Sequence, residues 1–152
     1  MPIVIIFVLI ALDQISKYLV LNWLKPIGTL PLIDGIFHLT YAENTGAAFS
    51  IFTDMQLFLK IITSIFIGLL LFLLYLEMRK KHAAPLKLFS LSLIIGGAIG
   101  NLIDRFRFNF VVDFFDFRLI DFAIFNLADS FIVIGTILLV FVIITTPEED
   151  WF

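Results

Sequence analysis

The sequence predicts an α-helical polytopic membrane protein with four transmembrane helices and a small β-rich segment between the first two. Hydrophobic residues make up 61% of the 152 residues, charged residues only 15%, and the mean hydropathy is +1.10. A soluble domain carries about 45–50% apolar and about 25% charged residues. Four apolar segments also reach the length of about 20 residues that crosses a bilayer. Together these observations exclude a soluble globular protein.

The composition also excludes several kinds of site and partner. The net charge is −3 without a basic stripe, so no nucleic-acid partner is expected. The chain has no cysteine, which rules out disulfides, thiol catalysis and thiolate metal sites. His38 and His82 lie far apart and match no metal-binding spacing. We therefore expect no metal and no cofactor.

The first predicted span covers residues 2–24. No lysine or arginine precedes Asp13, so the positive region of a cleaved signal peptide is lacking. Asp13 and Lys17 are four residues apart, hence on one helix face, where they can pair. Charged groups near lipid are costly, so this face is predicted to turn inward. It serves either as a structural ion pair or as the polar side of a site.

The outer loop at 25–53 is different in kind. It carries turn-forming prolines and glycines, including the pair Asp34-Gly35. Residues 36–41 are rich in aromatic and β-branched side chains, which favour strands. The sequence predicts a short sheet or hairpin outside the membrane. Beyond it, Asn44 and Gly46 open a run of small residues that permits close backbone approach.

Three more spans are predicted at about 54–76, 86–103 and 127–146. In the third, Gly96 and Gly100 form a small-residue face for close helix packing. The short loop at 77–85 is basic, so by the positive-inside rule it is cytoplasmic. Both termini are then cytoplasmic, and the loops at 25–53 and 104–126 face outward. Residues 1–152 are predicted to form one membrane-embedded domain.

Charge concentrates between residues 104 and 129, which hold eight of the 23 charged residues. Asp113 follows an apolar run, and Asp129 stands at the mouth of the fourth span. If they meet, repulsion and desolvation raise one pKa strongly, as in an aspartic-protease pair. The ordinary alternatives are that Asn126 and Asp129 form a helix cap, and that the remaining aspartates of the loop pair with its arginines. These are Asp104, Asp116 and Asp121 with Arg105, Arg107 and Arg118.

Two other functions are compatible with the same residues. One is a small proton- or ion-coupled carrier that uses intramembrane charges as a relay. The other is a Ser–Lys peptidase with Lys17 or Lys60 as the base. The relay residues would be Asp13, Lys17, Asp113 and Asp129.

Five motifs in order along the chain closely resemble the bacterial lipoprotein signal peptidase family, signal peptidase II. They are Asp13-Gln14-Ile15-Ser16-Lys17, Glu43-Asn44-Thr45-Gly46-Ala47-Ala48-Phe49, Gly100-Asn101-Leu102-Ile103-Asp104-Arg105, Val111-Val112-Asp113-Phe114 and Phe125-Asn126-Leu127-Ala128-Asp129-Ser130.

The resemblance implies an intramembrane aspartyl endopeptidase of the bacterial plasma membrane, with its active site near the extracytoplasmic face. Its substrates would be diacylglyceryl-modified prolipoproteins in contact with membrane lipids, cut just before the lipidated cysteine, and globomycin would inhibit it. Asp113 and Asp129 match the family's catalytic pair. The positions that match its substrate-binding, inhibitor-binding or supporting residues are Asp13, Lys17, Asn44, Gly46, Asn101, Asp104, Arg105 and Asn126.

Overall fold

The computed structural model describes residues 1–46 and 55–145, which form four long helices and one three-stranded antiparallel sheet. Helix α1 continues into a π-helical turn, and a short 3-10 turn follows the third strand. The elements in order are α1 Pro2–Leu19, the π turn Val20–Leu24, β1 Thr29–Ile33, β2 Phe37–Asn44, α2 Gln56–Arg79, α3 Pro85–Phe108, β3 Val111–Asp116, the 3-10 turn Arg118–Ile120 and α4 Leu127–Thr145.

All four helices are long and apolar enough to cross a membrane, which confirms the predicted fold class. Helix α3 is the central one, because every residue from 90 to 98 is buried. The other three helices expose most of their large apolar side chains, as lipid-facing helices do. The bundle is therefore built around α3, with α1, α2 and α4 against it.

Helix α3 runs beyond the apolar segment from which it was predicted. It ends at Phe108, where Asn109 adopts a left-handed conformation (φ 62°) and its N–H bonds to the Arg105 carbonyl. Asp104 and Arg105, expected in the outer loop, thus lie on the last turns of the helix. The end of an apolar run indicates where a helix leaves the hydrocarbon core of the membrane. The helix itself continues until a capping residue ends its backbone hydrogen bonds.

The turn between α2 and α3 is shorter than the predicted loop at 77–85. Helix α2 continues to Arg79, and residues 80–84 make the connection. The buried Glu77 carboxylate closes this turn by contacting Lys87 at 2.9 Å and accepting a hydrogen bond from the Ala84 N–H. Residues 47–53 of the predicted outer loop and the predicted span ends at 54 and 146 lie outside the described residues.

The predicted hairpin is present: β1 and β2 pair antiparallel around the Asp34-Gly35 turn. A third strand, β3, pairs with the other edge of β2, and this strand was not predicted. Its Val111 and Val112 are both buried, so the alternation that marks a half-exposed strand is missing. The sheet therefore joins the α1–α2 connection to the α3–α4 connection.

Three glycines let the helices approach closely, as predicted for Gly96 and Gly100. Gly96 lies under the Leu9 side chain, and Gly100 lies against the Asp13 carboxylate. Gly97 faces the backbone of Ala128 on α4. A side chain at any of these positions would meet atoms already in place, so α3 can pack against both α1 and α4 only with glycine there.

A buried ion cluster joins α1 to α3. The Lys17 ammonium contacts Asp13 and Asp104, each at 3.0 Å, and donates to the Asn101 amide oxygen at 2.8 Å. Lys17, Asp13 and Asp104 are 2% exposed or less. The predicted inward-facing ion pair is thus confirmed. The alternative for Asp104, a pair with a loop arginine, is wrong because Lys17 takes this carboxylate.

The two carboxylates of this cluster also hold the neighbouring elements. Asp13 accepts a hydrogen bond from the Ala128 N–H at the start of α4, at 3.1 Å. Asp104 accepts one from the Val112 N–H of β3, also at 3.1 Å. The Gln14 amide donates to Asp104 at 3.0 Å and to the Gly100 carbonyl at 3.2 Å. One buried cluster therefore fixes α1, α3, α4 and β3 relative to one another.

Replacing Gly100 with alanine tests the close approach of α1 and α3. The new methyl carbon would lie 2.5 Å from the Asp13 carboxylate oxygen, so Asp13 and Lys17 must shift. We expect Gly100→Ala to destabilise the protein by about 1–3 kcal/mol, measured by thermal unfolding in detergent. Gly68→Ala is the matched control, since nothing lies within 4 Å of its new methyl. Equal melting temperatures for the two variants would contradict the packing described.

Replacing Lys17 with methionine tests the ion cluster. Methionine is also unbranched and is one atom shorter, but it leaves two carboxylates buried without their cation. Breaking a buried pair in this way costs about 3–5 kcal/mol, which thermal unfolding in detergent would report. Lys25→Met is the control, because Lys25 pairs with Glu43 at the exposed surface. If both variants melt like the wild type, the cluster does not hold the bundle together.

Candidate active site

Two carboxylates meet where the sheet joins the helix bundle. Asp113 lies in the middle of β3 and is 2% exposed. Asp129 lies in the first turn of α4. Both line one cleft. Asp113 is held in place because Val111 and Val112 before it are buried and the Val112 N–H is bound by Asp104.

Asp129 is positioned by a reciprocal cap at the start of α4. Its N–H donates to the Asn126 side-chain oxygen at 2.9 Å, and the Asn126 N–H donates to Asp129 Oδ2 at 3.1 Å. The predicted capping box is therefore confirmed. The cap uses only one carboxylate oxygen. The other, Oδ1, accepts a hydrogen bond from the Asn101 amide at 2.7 Å.

Three asparagines link the two carboxylates to the buried ion cluster. The Asn126 amide donates to Asp113 Oδ1 at 2.7 Å and to the Asn101 side-chain oxygen at 3.0 Å. Asn44 on β2 donates to Asp113 Oδ2 at 2.9 Å. Since Asn101 also accepts from Lys17, its orientation is fixed by the ammonium. Each carboxylate is thus held by amide donors and not by a direct ion pair.

The electrostatics of Asp113 suit a group that holds a proton near neutrality. Burial, together with the negative charge of Asp129, raises its pKa to about 7. The hydrogen bonds from Asn44 and Asn126 and the charge of Lys17 oppose the rise without cancelling it. Near pH 7 Asp113 therefore carries a proton in about half of the molecules, and a carboxylate dyad uses such a proton for acid–base chemistry.

Arg105 brings a positive charge to the same cleft. Its side chain is 9% exposed, and its NH2 group donates to the Gly46 carbonyl at 3.2 Å. Its Nε has no hydrogen-bond partner among residues 1–46 and 55–145. Gly46 is itself held by Asn44, whose side-chain oxygen accepts its N–H. The guanidinium of Arg105 is therefore part of the lining at the polar end of the cleft.

The cleft has a volume of about 980 Å³ and two chemically different ends. The polar end holds Asp113, Asp129 and Arg105 with their amide partners. The apolar end lies between α2 and α4 with α3 behind it, and its walls include Phe66, Val133 and Ile134, which are 46%, 57% and 50% exposed. Because these walls are part of the lipid-facing surface, the cleft opens sideways to the lipid.

The structure brings all ten of the predicted site residues into one connected region. Asp13, Lys17 and Asp104 form the buried cluster beneath the site. Around the two carboxylates lie Asn44, Gly46, Asn101, Arg105 and Asn126. Sequence reasoning missed Gln14, which bridges the two carboxylates of the cluster. Its signal was present, since a polar amide next to Asp13 is unusual in an apolar span.

The other two aspartates of the 104–126 segment lie outside the site. Asp116 is buried, at 8% exposed, and accepts a hydrogen bond from Thr40. It pairs with Arg118 at 2.9 Å, as the alternative of a pair with a loop arginine predicted. Burial by itself would raise the pKa of Asp116, but the hydrogen bonds from Thr40 and Arg118 outweigh it and lower this pKa below its ordinary value. Asp121 is exposed, in a left-handed conformation, and forms no ion pair in the described part of the chain.

The contacts of the two lysines also bear on the Ser–Lys alternative. Lys17 is held by Asp13, Asp104 and Asn101, and Lys60 donates to the Asn109 side chain at 2.8 Å. In the ranges 1–46 and 55–145, neither ammonium contacts a serine hydroxyl. Within the described residues, neither lysine therefore has the serine partner that a Ser–Lys dyad requires.

Comparison with known proteins gives one consistent family. The family model described as Signal peptidase (SPase) II matches residues 5–145. A protein of Caldanaerobacter subterraneus named lipoprotein signal peptidase is 48% identical over 95% of this chain and 96% of its own length. The protein of that name from Clostridioides difficile is 48% identical, covering 90% of each chain.

Solved structures agree with the sequence relatives. A bacterial membrane enzyme superposes with a TM-score of 0.85 at 32% identity, covering 98% of this chain and 90% of its own. A second bacterial membrane enzyme gives 0.81 at 33% identity, covering 96% and 94%. With its four membrane-spanning helices and its matched motifs, the chain belongs to the signal peptidase II family of membrane peptidases.

Proposed function

We propose that this protein is an intramembrane aspartyl endopeptidase that removes signal peptides from diacylglyceryl-modified prolipoproteins, cutting just before the lipidated cysteine. One observation carries the chemistry: Asp113 and Asp129 share a cleft, and the pKa of Asp113 is raised to about 7. The substrate class rests on the relatives named lipoprotein signal peptidase. The proposed site is in the plasma membrane of a bacterium, near the outer face, with both termini cytoplasmic.

The proposed hydrolysis needs only water and the two carboxylates. The ionised aspartate takes a proton from water as the water oxygen attacks the scissile carbonyl carbon, and the protonated aspartate gives its proton to the carbonyl oxygen. The tetrahedral intermediate then collapses: the C–N bond breaks, the leaving nitrogen takes a proton from one carboxyl, and the other regains one from the intermediate. The pair ends with one proton, as it began, so the acid and base belong to the dyad as a unit.

The remaining residues have positioning roles in this proposal. Asn44, Asn101 and Asn126 hold the carboxylates through their amides. Arg105, whose side chain lines the cleft, is placed to donate to substrate carbonyls. The bound carbonyl of Gly46 and the cluster of Asp13, Lys17 and Asp104 fix these groups from behind.

The shape of the cleft suits a substrate that is itself in the membrane. Its apolar end, between α2 and α4, accommodates the apolar signal peptide, while the acyl chains of the modified cysteine remain in lipid. Its polar end brings the scissile bond to water and the dyad. A carrier would need polar groups through the depth of the bundle, whereas the apolar end of the cleft is lined by residues such as Phe66, Ala98 and Ile132.

Asparagine substitution tests the dyad. Asp113→Asn or Asp129→Asn should lower cleavage of a purified lipidated precursor at least about 100-fold, measured as the gel shift of the product. Asp121→Asn is the matched control: the residue is exposed, and asparagine tolerates its left-handed backbone. Globomycin should block the wild type and the control alike. Full activity in either dyad variant, in a correctly folded protein, would refute the assignment.

The pH dependence of cleavage tests the shared proton. Because burial and Asp129 raise the pKa of Asp113 to about 7, the pair loses its proton as the pH rises above that value. We expect kcat/KM to fall by up to about tenfold per pH unit on the alkaline side. Asp121→Asn should show the same profile as the wild type. A rate that stays level from about pH 6 to pH 9 would be incompatible with a proton held by the dyad.

A further inference from the structure

An exposed apolar surface lies outside the four helices, where the β1–β2 turn meets the segment that follows β3. Leu119 and Ile120 are each 69% exposed, and large apolar side chains of the adjacent β1–β2 turn accompany them. We call this surface the apolar tip. It consists of Ile33, Ile36, Phe117, Leu119, Ile120 and Phe122.

The apolar tip is an ordered part of the fold. The Leu119 N–H bonds to the Ile36 carbonyl at 3.4 Å, and the Phe122 N–H bonds to the Phe117 carbonyl at 3.3 Å. The Phe117 ring packs on Phe37 of β2, with ring centres 4.5 Å apart. The turn of the hairpin and the segment at 117–122 therefore hold each other, with Leu119 and Ile120 pointing outward.

Such a surface is costly in water. Burying apolar area is worth about 25 cal/mol per Å², and contiguous exposed apolar residues on a soluble surface mark an interaction site. Single exposed aliphatic residues need no explanation, but Leu119 and Ile120 are consecutive and join Ile33 and Ile36. The apolar tip therefore fits a partner that is itself apolar.

Continuity with the lipid-facing helices identifies that partner. Phe122 of the tip lines the same cleft as Val133 and Ile134 of α4. Val133 is 57% exposed and Ile134 is 50% exposed, on a helix long and apolar enough to span the membrane. The apolar surface of the tip thus continues the lipid-facing surface of α4 at its end next to the sheet.

The charges around the tip set how deep it can lie. Asp34 is 99% exposed in the hairpin turn, and Arg118, 44% exposed, pairs with Asp116. Asp121 follows Ile120 directly. Charged groups beside aliphatic side chains suit the headgroup boundary of a bilayer and not its hydrocarbon centre.

We propose that the apolar tip is a membrane anchor, with Leu119 and Ile120 inserted at the boundary between headgroups and acyl chains beside α4. The anchor would act on the site through the sheet. Phe115 of β3 pairs with Phe125 on one side and with Leu39 on the other, so the sheet connects the tip to the strand that carries Asp113. This inference concerns lipid contact and does not depend on the proposed reaction.

Spin labels test the anchor without ambiguity, because the chain has no cysteine of its own. A nitroxide is attached to Ile120→Cys in liposomes, and its accessibility to oxygen, which concentrates in lipid, is compared with that to a water-soluble nickel complex. Ile137→Cys, 62% exposed in mid-α4, gives the lipid reference. Lys81→Cys, in the turn at 80–84, gives the water reference. Asp34→Cys is the matched control in the hairpin turn of the tip itself.

We expect the Ile120 label to favour oxygen over nickel, approaching the Ile137 label, while the Asp34 label is markedly more accessible to nickel. Nickel accessibility at Ile120 equal to that at Lys81 would overturn the proposal. So would strong dipolar broadening between Ile120 labels that vanishes on dilution with unlabelled protein, since this would show that a second copy of the chain covers the tip.

Discussion

The structure depends on one buried cation. The Lys17 ammonium is 2% exposed and has three partners, Asp13, Asp104 and Asn101. A buried charge costs several kcal/mol unless acceptors satisfy it, so these groups must stay together for the bundle to be stable. The two carboxylates also fix the neighbouring elements. Asp13 accepts a hydrogen bond from the backbone of α4, and Asp104 accepts one from the backbone of β3. Glycine at position 100 is what allows the cation to have partners on both helices.

This rigid base explains how two carboxylates can be kept close at the edge of the bundle. Their repulsion and the loss of water around Asp113 both disfavour a charged pair, which is why the pKa of Asp113 rises to about 7. Asn126 relieves part of that cost by donating to Asp113 while its backbone N–H serves Asp129. Asn101 connects the same pair to Lys17. The cluster around Lys17 stabilises the fold. Asn101 connects it to Asp129, so the two carboxylates of the site lie next to the cluster without belonging to it.

The lipid environment accounts for the rest of the architecture. Helix α3 is buried on most sides, while α2 and α4 present their apolar surfaces outward and leave a cleft between them. In water such a cleft would collapse or aggregate, but in a bilayer it is filled by acyl chains or by an apolar helix. For the proposed peptidase, such a cleft would let apolar segments enter sideways from the lipid, towards the two carboxylates at its polar end.

What the sequence alone determined was local. Hydropathy predicted four spans, the four-residue spacing of Asp13 and Lys17 predicted their pairing, and Asp34-Gly35 predicted the hairpin. Motif resemblance, not spacing, singled out Asp113 and Asp129. Only the tertiary structure decided that Asp104 belongs to Lys17, that α3 continues to Phe108 and that residues 111–116 form a third strand. The reason is range: periodicity reports neighbours within a few positions, whereas the bonds from Lys17 to Asn101 and from Ala128 to Asp13 join residues 84 and 115 positions apart.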